Sequence, residues 1–196
     1  MELRMPYAMV ISGFLSLAAV ATLSAQAAAP KVPAPQDRGI IGFLSVPWGS
    51  KATDVTAAYR APLMDQTTPD SGHVMIYKDQ VLGRSVLALF YVDKAKGLVK
   101  GVYSVPYDSA GADCEAVFDK FKTFVQRVFP AIRPVEERKN DTPALPFCAA
   151  ADSGKASRSA VWTDTNGNSV QITLEPEVDH VDVEFQSRDV KRAPSK

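Results

Sequence analysis

Apolar and polar residues alternate near the end of the chain in the way typical of strands with one buried face. Every second residue is apolar in segment 169–175, and segment 181–186 repeats the pattern. Since successive side chains of a strand point to opposite faces, both segments are predicted strands of an antiparallel sheet with one wet face. Segment 159–164 precedes them as a third strand. The residues predicted to face the core are Val170, Ile172, Leu174, Val181, Val183 and Phe185.

The first half of the chain contains a second group of short apolar segments bounded by turn residues. Segment 85–92 is almost continuously apolar and is followed, after a loop that ends in Gly97, by the apolar segment 98–105. Because glycine adopts left-handed backbone conformations without strain, this loop is predicted to close a hairpin between the two segments. Segments 40–46 and 73–78 are predicted as two further strands.

Two segments show features of helices. Between residues 112 and 129, apolar residues recur every three or four positions, and Pro130 ends the pattern. Ser50 is a suitable N-cap for a shorter helix that ends near Arg60. Each predicted helix precedes a set of predicted strands.

The order of these elements predicts an α+β fold built from two similar halves. Residues 50–105 and 112–186 each contain a helix followed by a β-meander. We predict an antiparallel sheet, or sheets, with the two helices packed on one face, in a single domain over residues 39–188. The pattern leaves open whether the halves share one sheet or form two small modules.

The chain begins with the features of a secretory signal peptide. Within residues 1–27, a basic residue precedes an apolar run, and Ala25 and Ala27 form a signal-peptidase pattern. The apolar run is shorter than the roughly 20 residues of a membrane span. We therefore expect cleavage and no stable membrane anchor afterwards, with an uncleaved N-terminal anchor as the alternative. Segment 28–38, rich in alanine and proline, is a predicted tether, and segment 189–196 is a predicted polar tail.

The composition fits an exported globular protein. The chain carries 22 basic and 22 acidic residues, so it has no excess of positive charge with which to bind nucleic acid. Its content of hydrophobic residues, 46%, is too high for a disordered chain. We expect a protein of the periplasm or of the external medium, and we predict no cofactor.

Cys114 and Cys148 are the only cysteines of the sequence. In an oxidising compartment such a pair is expected to form a disulfide bond. The bond would attach the segment around Cys148 to the second predicted helix. A reactive thiol pair is the alternative, which the absence of a C-x-x-C spacing disfavours.

The last predicted strand carries His180, Asp182 and Glu184 on its solvated face. Imidazole and carboxylate groups bind divalent metals, so these three residues are the metal-ligand candidates. Charged residues are also expected on the wet face of a strand without any ligand. We predict a solvated face and no metal site.

Residues 164–168, together with Glu175, match several ligand positions of a calcium-binding loop. However, Ser169 stands where that loop requires glycine, and strands rather than helices flank the segment. Asn166 and Gly167 between two alternating apolar segments are typical of a hairpin turn. We predict the hairpin.

Two places are candidate contacts with a protein partner. Trp48 lies beside a glycine at the start of the first helix, where it serves either as a core anchor or as a contact. Segment 138–157 shows no regular pattern, and Pro146 and Phe147 lie within it beside a cysteine. A stiffened apolar loop is suited to binding, because it loses less conformational entropy when it binds. A tolerated insertion is the alternative for this segment.

The residues Val46-Pro47-Trp48-Gly49-Ser50, followed by a short helix and apolar hairpins, resemble the start of many small periplasmic α/β proteins. The repeated order of helix and meander is similar to the β-lactamase-inhibitor-protein fold, and to a related module in the small lipoprotein of the outer-membrane barrel-assembly machinery. The resemblance covers most of residues 40–186 in element order, and residues 46–50 are its only residue match. It implies a non-enzymatic binding module. A lipoprotein would need a lipid-attachment cysteine after the cleavage site, which this sequence lacks.

The sequence contains no G-x-S-x-G motif, no H-E-x-x-H motif and no phosphate-binding glycine loop. We therefore predict an exported, non-catalytic module for protein binding or envelope assembly, with an envelope protein as its partner. The alternative is a metal-assisted enzyme or small-ligand binder that uses the acidic C-terminal strand. In that case His180 and Asp182 would be essential.

Overall fold

The computed structural model describes residues 39–107, 113–174 and 179–189, which form an α+β fold. The predicted signal peptide, the predicted tether and most of the predicted tail lie outside these residues. In the described part of the chain, no helix has the length and apolar character needed to cross a membrane. The helices are α1 (Ala52–Ala58), α2 (Cys114–Val128) and α3 (Phe147–Asp152). The strands are β1 (Gly42–Phe43), β2 (Val46–Pro47), β3 (Leu63–Thr67), β4 (Gly72–Val81), β5 (Arg84–Asp93), β6 (Gly97–Pro106), β7 (Val135–Asn140), β8 (Ala156–Thr163), β9 (Ser169–Leu174) and β10 (His180–Gln186).

Both halves of the chain contribute to one large antiparallel sheet. Within the described ranges, eight strands pair in the order β3-β4-β5-β6-β10-β9-β8-β7, and β1 and β2 form a separate hairpin. Each half therefore runs from one edge of the sheet toward its centre. The halves meet where β6 pairs with β10, with Val105 opposite Val181 and Gly101 opposite Phe185. This pairing answers the question that the sequence left open, because the two halves share a sheet.

The inner face of the sheet is the side that packs into the hydrophobic core. The residues predicted to face the core from β9 and β10 are all buried, and the polar residues between them lie on the opposite, outer face. On β8, Trp162 is fully buried and donates a hydrogen bond from Nε1 to Gln126 Oε1 of α2 at 3.2 Å. Arg158, on the same face of β8, places its guanidinium 4.3 Å from the ring centroid of Phe118. These contacts hold α2 against the inner face.

The prediction that segment 138–157 is irregular is wrong. It contains the end of β7, all of α3 and the start of β8. Strand β7 has an exposed and mostly charged sequence, so it shows no alternation, and α3 has only six residues, too few for a helical period. The apolar pattern also misses β3, because all five of its residues are exposed. The predicted strand 40–46 is replaced by the β1–β2 hairpin.

Phe43 covers the junction between the two halves on the inner side of the sheet. It is fully buried, and its ring centroid lies 4.9 to 5.2 Å from those of Phe90, Tyr103 and Phe185. These rings belong to β5, β6 and β10, so one side chain contacts both halves. Gly101 of β6 lies directly beneath the Phe43 ring, and any side chain at position 101 would collide with it.

Gly101→Ala is expected to lower the free energy of unfolding by about 1–3 kcal/mol, the usual cost of adding a carbon to a packed core. Urea unfolding followed by tryptophan fluorescence would show a lower midpoint with an unchanged slope. In a double variant with Phe43→Leu, the smaller side chain leaves room for the added carbon, so the two losses should not add. Additive losses would contradict the contact.

Candidate functional site

The outer face of the sheet is formed by the side chains that alternate with the core residues. Antiparallel pairing arranges these side chains in rows that cross the strands, and one row passes through Asp182 at the centre. Ser104 of β6 and Thr173 of β9 lie directly opposite Asp182 of β10 on its two sides. We call this the Asp182 row. From β4 to β7 it consists of Lys78, Leu87, Ser104, Asp182, Thr173, Ser159 and Glu137.

The part of the outer face that comes from β4, β5 and β6 is mainly apolar. Leu87, directly opposite Ser104, is 39% exposed. The almost continuous apolar run over 85–92 could have predicted this surface. A strand without polar residues at alternate positions presents apolar side chains on both faces of the sheet. We call this surface the apolar strip. It consists of Val74, Ile76, Leu87, Leu89, Tyr91 and, buried beneath its neighbours, Val102.

The charged residues of β10 have different partners. Glu184 forms an ion pair with Lys100 of β6, with 2.7 Å between Oε2 and Nζ. The Nζ atom of Lys100 also lies 4.9 Å from the ring centroid of Tyr91. Asp182 pairs with His180 of its own strand, where 3.5 Å separates Oδ1 from Nε2, longer than an ordinary hydrogen bond between nitrogen and oxygen. Lys100 is therefore the ion-pair partner of Glu184 and not of Asp182.

The Asp182 carboxylate is partly enclosed. Burial raises the pKa of Asp182 above its ordinary value, and the charge of Glu184 acts in the same direction. His180, Lys100 and a hydrogen bond with Ser104 lower this pKa, but burial outweighs them. Among the described residues, Oδ1 is enclosed and has no hydrogen-bond partner, although the side chain as a whole is 39% exposed. Ionisation at this position is therefore opposed by its surroundings.

The three metal-ligand candidates lie together on the outer face of β10, as their alternate positions predict. Glu184 forms an ion pair with Lys100, and Asp182 lies beside His180 with 3.5 Å between Oδ1 and Nε2. Among the residues that the structure describes, no group of three or more His, Cys, Asp or Glu side chains is placed to hold a metal ion.

Segment 164–168 is the turn between β8 and β9, as its Asn-Gly sequence predicts. Asp164 Oδ1 accepts hydrogen bonds from the backbone N–H groups of Asn166 and Asn168, both at 2.9 Å. Its Oδ2 accepts a hydrogen bond from the N–H of Ile40 at 2.8 Å. The carboxylate thus fixes the turn and attaches the start of the described chain to it. Glu175, the remaining residue of the calcium-loop pattern, lies outside the described residues.

Cys114 and Cys148 form the predicted disulfide bond, with 5.8 Å between their Cα atoms. The bond joins the first residue of α2 to α3, and both cysteines are buried. The predicted pairing is confirmed, as is the attachment of the segment around Cys148 to the second helix.

The three candidate partner contacts differ in exposure. Phe147 is 7% exposed, belongs to the core, and is covered by the guanidinium of Arg138 at 4.5 Å from the ring centroid. Pro146 is exposed and precedes α3. Trp48 is half-buried against the core and donates a hydrogen bond from Nε1 to the carbonyl oxygen of Ile40 at 2.7 Å. Contact with a partner stays a prediction for all three, and Pro146 is the most accessible of them.

A shallow depression of about 450 Å³ lies on the outer face near the β7 edge. It includes Ser159 and Glu137, so it continues the Asp182 row toward that edge. Its walls combine one arginine and one glutamate with apolar and uncharged polar side chains. The lining residues are Arg133, Val135, Glu137, Ser159, Val161, Thr163 and Gln171.

Comparison with known proteins yields no relative, since no family model, curated protein or solved structure matches the chain. The similarity to the β-lactamase-inhibitor-protein fold therefore stays a prediction from element order and residues 46–50. The function must be inferred from the geometry described above.

Asp182→Asn is expected to stabilise the protein at neutral pH, because it removes a carboxylate whose ionisation is opposed by burial. The stabilising contribution of the protonated carboxyl is present below the ordinary pKa of aspartate, about 3.9, and is lost as the pH rises through the raised folded-state pKa. The free energy of unfolding of the variant, measured with urea, should therefore exceed that of the unchanged protein by more at neutral pH than at acid pH.

Glu137→Gln, which removes one negative charge from the far end of the same row, controls for the change in net charge. An advantage of Asp182→Asn that is the same at every pH would contradict the role of burial.

Replacing both cysteines by alanine is expected to lower the free energy of unfolding by about 3–4 kcal/mol, because the bond closes a loop of 34 residues that is otherwise free in the unfolded chain. Urea unfolding of the oxidised protein, the reduced protein and the double variant measures this loss. The reduced protein and the variant should agree. Unfolding midpoints equal to that of the oxidised protein would contradict a stabilising bond.

Proposed function

We propose that the chain is an exported, non-catalytic protein-binding module, and that its contact surface is the outer face of β4, β5, β6, β10 and β9. The observation that carries the proposal is that the apolar strip lies side by side with the polar part of the Asp182 row on one face of the sheet. Protein interfaces combine an apolar centre with polar groups that select the partner. Leu87, exposed and directly opposite Ser104, lies at the boundary between the two parts.

We propose further that α1 and α2 both cover the inner face, which leaves the outer face open to a partner. The contacts of α2 with Arg158 and Trp162 support this for the second half. In the first half, Tyr59 directly follows α1, and its ring centroid lies 5.0 Å from those of Tyr77 and Phe90. Both of these residues are buried on the inner side of β4 and β5. An antiparallel sheet with helices on one face keeps its other face accessible.

Export to the periplasm or the medium is part of the proposal. The buried disulfide supports it, because such bonds form and persist in oxidising compartments. The signal peptide over 1–27, the tether over 28–38 and the domain bounds 39–188 are proposed from the sequence pattern. The partner proposed is a protein of the cell envelope.

A second candidate function is that of a metal-assisted enzyme or small-ligand binder centred on β10. The common position of His180, Asp182 and Glu184 on one face favours it. The ion pair of Glu184 with Lys100 opposes it, since a metal would have to displace the lysine. Both candidates use the outer face, so the experiment must separate protein contact from metal binding.

A photoreactive amino acid at Leu87 is expected to crosslink to one discrete partner when the exported protein is illuminated in the envelope of its host. The same substitution at Leu145, which is 43% exposed in the loop before α3 and adjacent to the alternative contact Pro146, compares the two candidate contacts at similar exposure. Crosslinking from position 87 that is stronger than from position 145, and unchanged by a chelator, is the expected result.

Crosslinking of equal strength from both positions would contradict a contact at the outer face. A crosslink from position 145 alone would place the contact at Pro146 instead. Loss of the crosslink in the presence of a chelator would favour the metal-dependent candidate.

A further inference from the structure

The centre of the outer face holds a negative charge that no lysine or arginine of the Asp182 row can reach. Lys78 is the only lysine or arginine of the row, and it lies at one end, three strands away from Asp182. The other end of the row is the acidic Glu137, also three strands away. Three strand spacings amount to about 14 Å, beyond the screening length of about 8 Å at physiological ionic strength. Lys100 is paired with Glu184 at 2.7 Å, and the ring nitrogen Nε2 of His180 lies 3.5 Å from Asp182 Oδ1, beyond an ordinary hydrogen bond.

Both neighbours of Asp182 in the row have short hydroxyl side chains. Ser104 lies opposite it on β6, and Thr173 lies opposite it on β9. The Asp182 side chain is 39% exposed although its Oδ1 is enclosed, so a side chain that arrives from outside can approach the carboxylate. The hydroxyl of Ser104 is hydrogen-bonded to Asp182, and that of Thr173 accepts a hydrogen bond from Gln171 Nε2 at 3.0 Å. Because a hydroxyl oxygen has two lone pairs, each can accept a further hydrogen bond, so three acceptor groups are adjacent at this point of the sheet.

The next position of the row, toward the apolar strip, is Leu87. It lies two strands from Asp182, about 10 Å, which is comparable to the length of an extended arginine side chain plus one hydrogen bond. The exposed surface of Leu87 offers an apolar support for the methylene groups of such a side chain. The row therefore provides an apolar segment followed by a group of acceptors.

We infer that Asp182 anchors an arginine side chain of the protein partner, an inference that rests on the proposed binding role of the outer face. The guanidinium group has several donors in a fixed plane and can bond the carboxylate and the flanking hydroxyls of Ser104 and Thr173 together. The ammonium group of lysine is a compact charge and matches this arrangement less well. The complementary features are the Asp182 carboxylate, which forms no ion pair with a lysine or arginine of the described residues, the hydroxyl oxygens of Ser104 and Thr173, and the apolar support at Leu87.

The test is an NMR titration of the isotope-labelled exported protein with N-acetyl-arginine amide, and with N-acetyl-citrulline amide as an uncharged probe of the same shape. We expect saturable shifts of the backbone amide signals of Ser104, Thr173 and Asp182 with the arginine probe. Binding of the citrulline probe should be about tenfold weaker, because a charge-assisted hydrogen bond becomes a neutral one. Asp182→Asn should lose the response, and Glu137→Gln, with the same charge change at the end of the row, should keep it.

Equal responses to the two probes, no saturable response in the row, or an unchanged response of Asp182→Asn would each overturn the inference. The amide spectrum of each variant also reports whether it is folded, so loss of structure is separated from loss of binding. A crosslink from position 87 without an arginine response would keep the proposed function and overturn the anchor. An arginine response without a crosslink would keep the anchor and contradict a protein partner at this face.

Discussion

The pairing of β6 with β10 is the interaction on which the remainder of the structure depends. On the inner side of the sheet, it brings Phe185 next to Gly101, and the ring of Phe43 covers both halves at that point. On the outer side, the same backbone hydrogen bonds place Ser104 beside Asp182. The core at the junction and the proposed contact surface are therefore two sides of one strand pair. A change that weakened this pairing would affect stability and binding together.

Much of the secondary structure was predictable, because burial on one side leaves a period in the sequence. Strands β9 and β10 alternate strictly, and α2 has an apolar face long enough to show a helical period. Strand β3 and helix α3 lack such a signal, since the first is exposed throughout and the second is too short. The order of strands in the sheet was not predictable either. Alternation tells which side chains share a face of a strand, but not which strands are neighbours.

The candidate site was predictable only as far as one strand is concerned. The common face of His180, Asp182 and Glu184 follows from their alternate positions, and the structure agrees. Their partners do not follow, because Lys100 and Ser104 lie about eighty residues earlier in the chain and meet β10 only through the register of β6. Glu184 is paired with a lysine at 2.7 Å, whereas Asp182 has only the histidine of its own strand at 3.5 Å as an ion-pair partner among the described residues, a difference that no local pattern contains. Phe147 illustrates the same limit, because its burial depends on the packing of α3 rather than on its proline-rich neighbourhood.

Strand β10 is the last of the described strands in sequence order but lies in the interior of the sheet, between β6 and β9. Seven strands of the sheet are synthesised before it, and β6 and β9 keep open edges until it inserts. Open edges promote pairing between chains, and contacts between distant residues slow folding. We therefore expect the time needed to complete the sheet to depend on the arrival of its final strand. Proteolytic removal of residues 180–186 would divide the sheet into a four-stranded part and a three-stranded part, each with a newly exposed edge prone to aggregation.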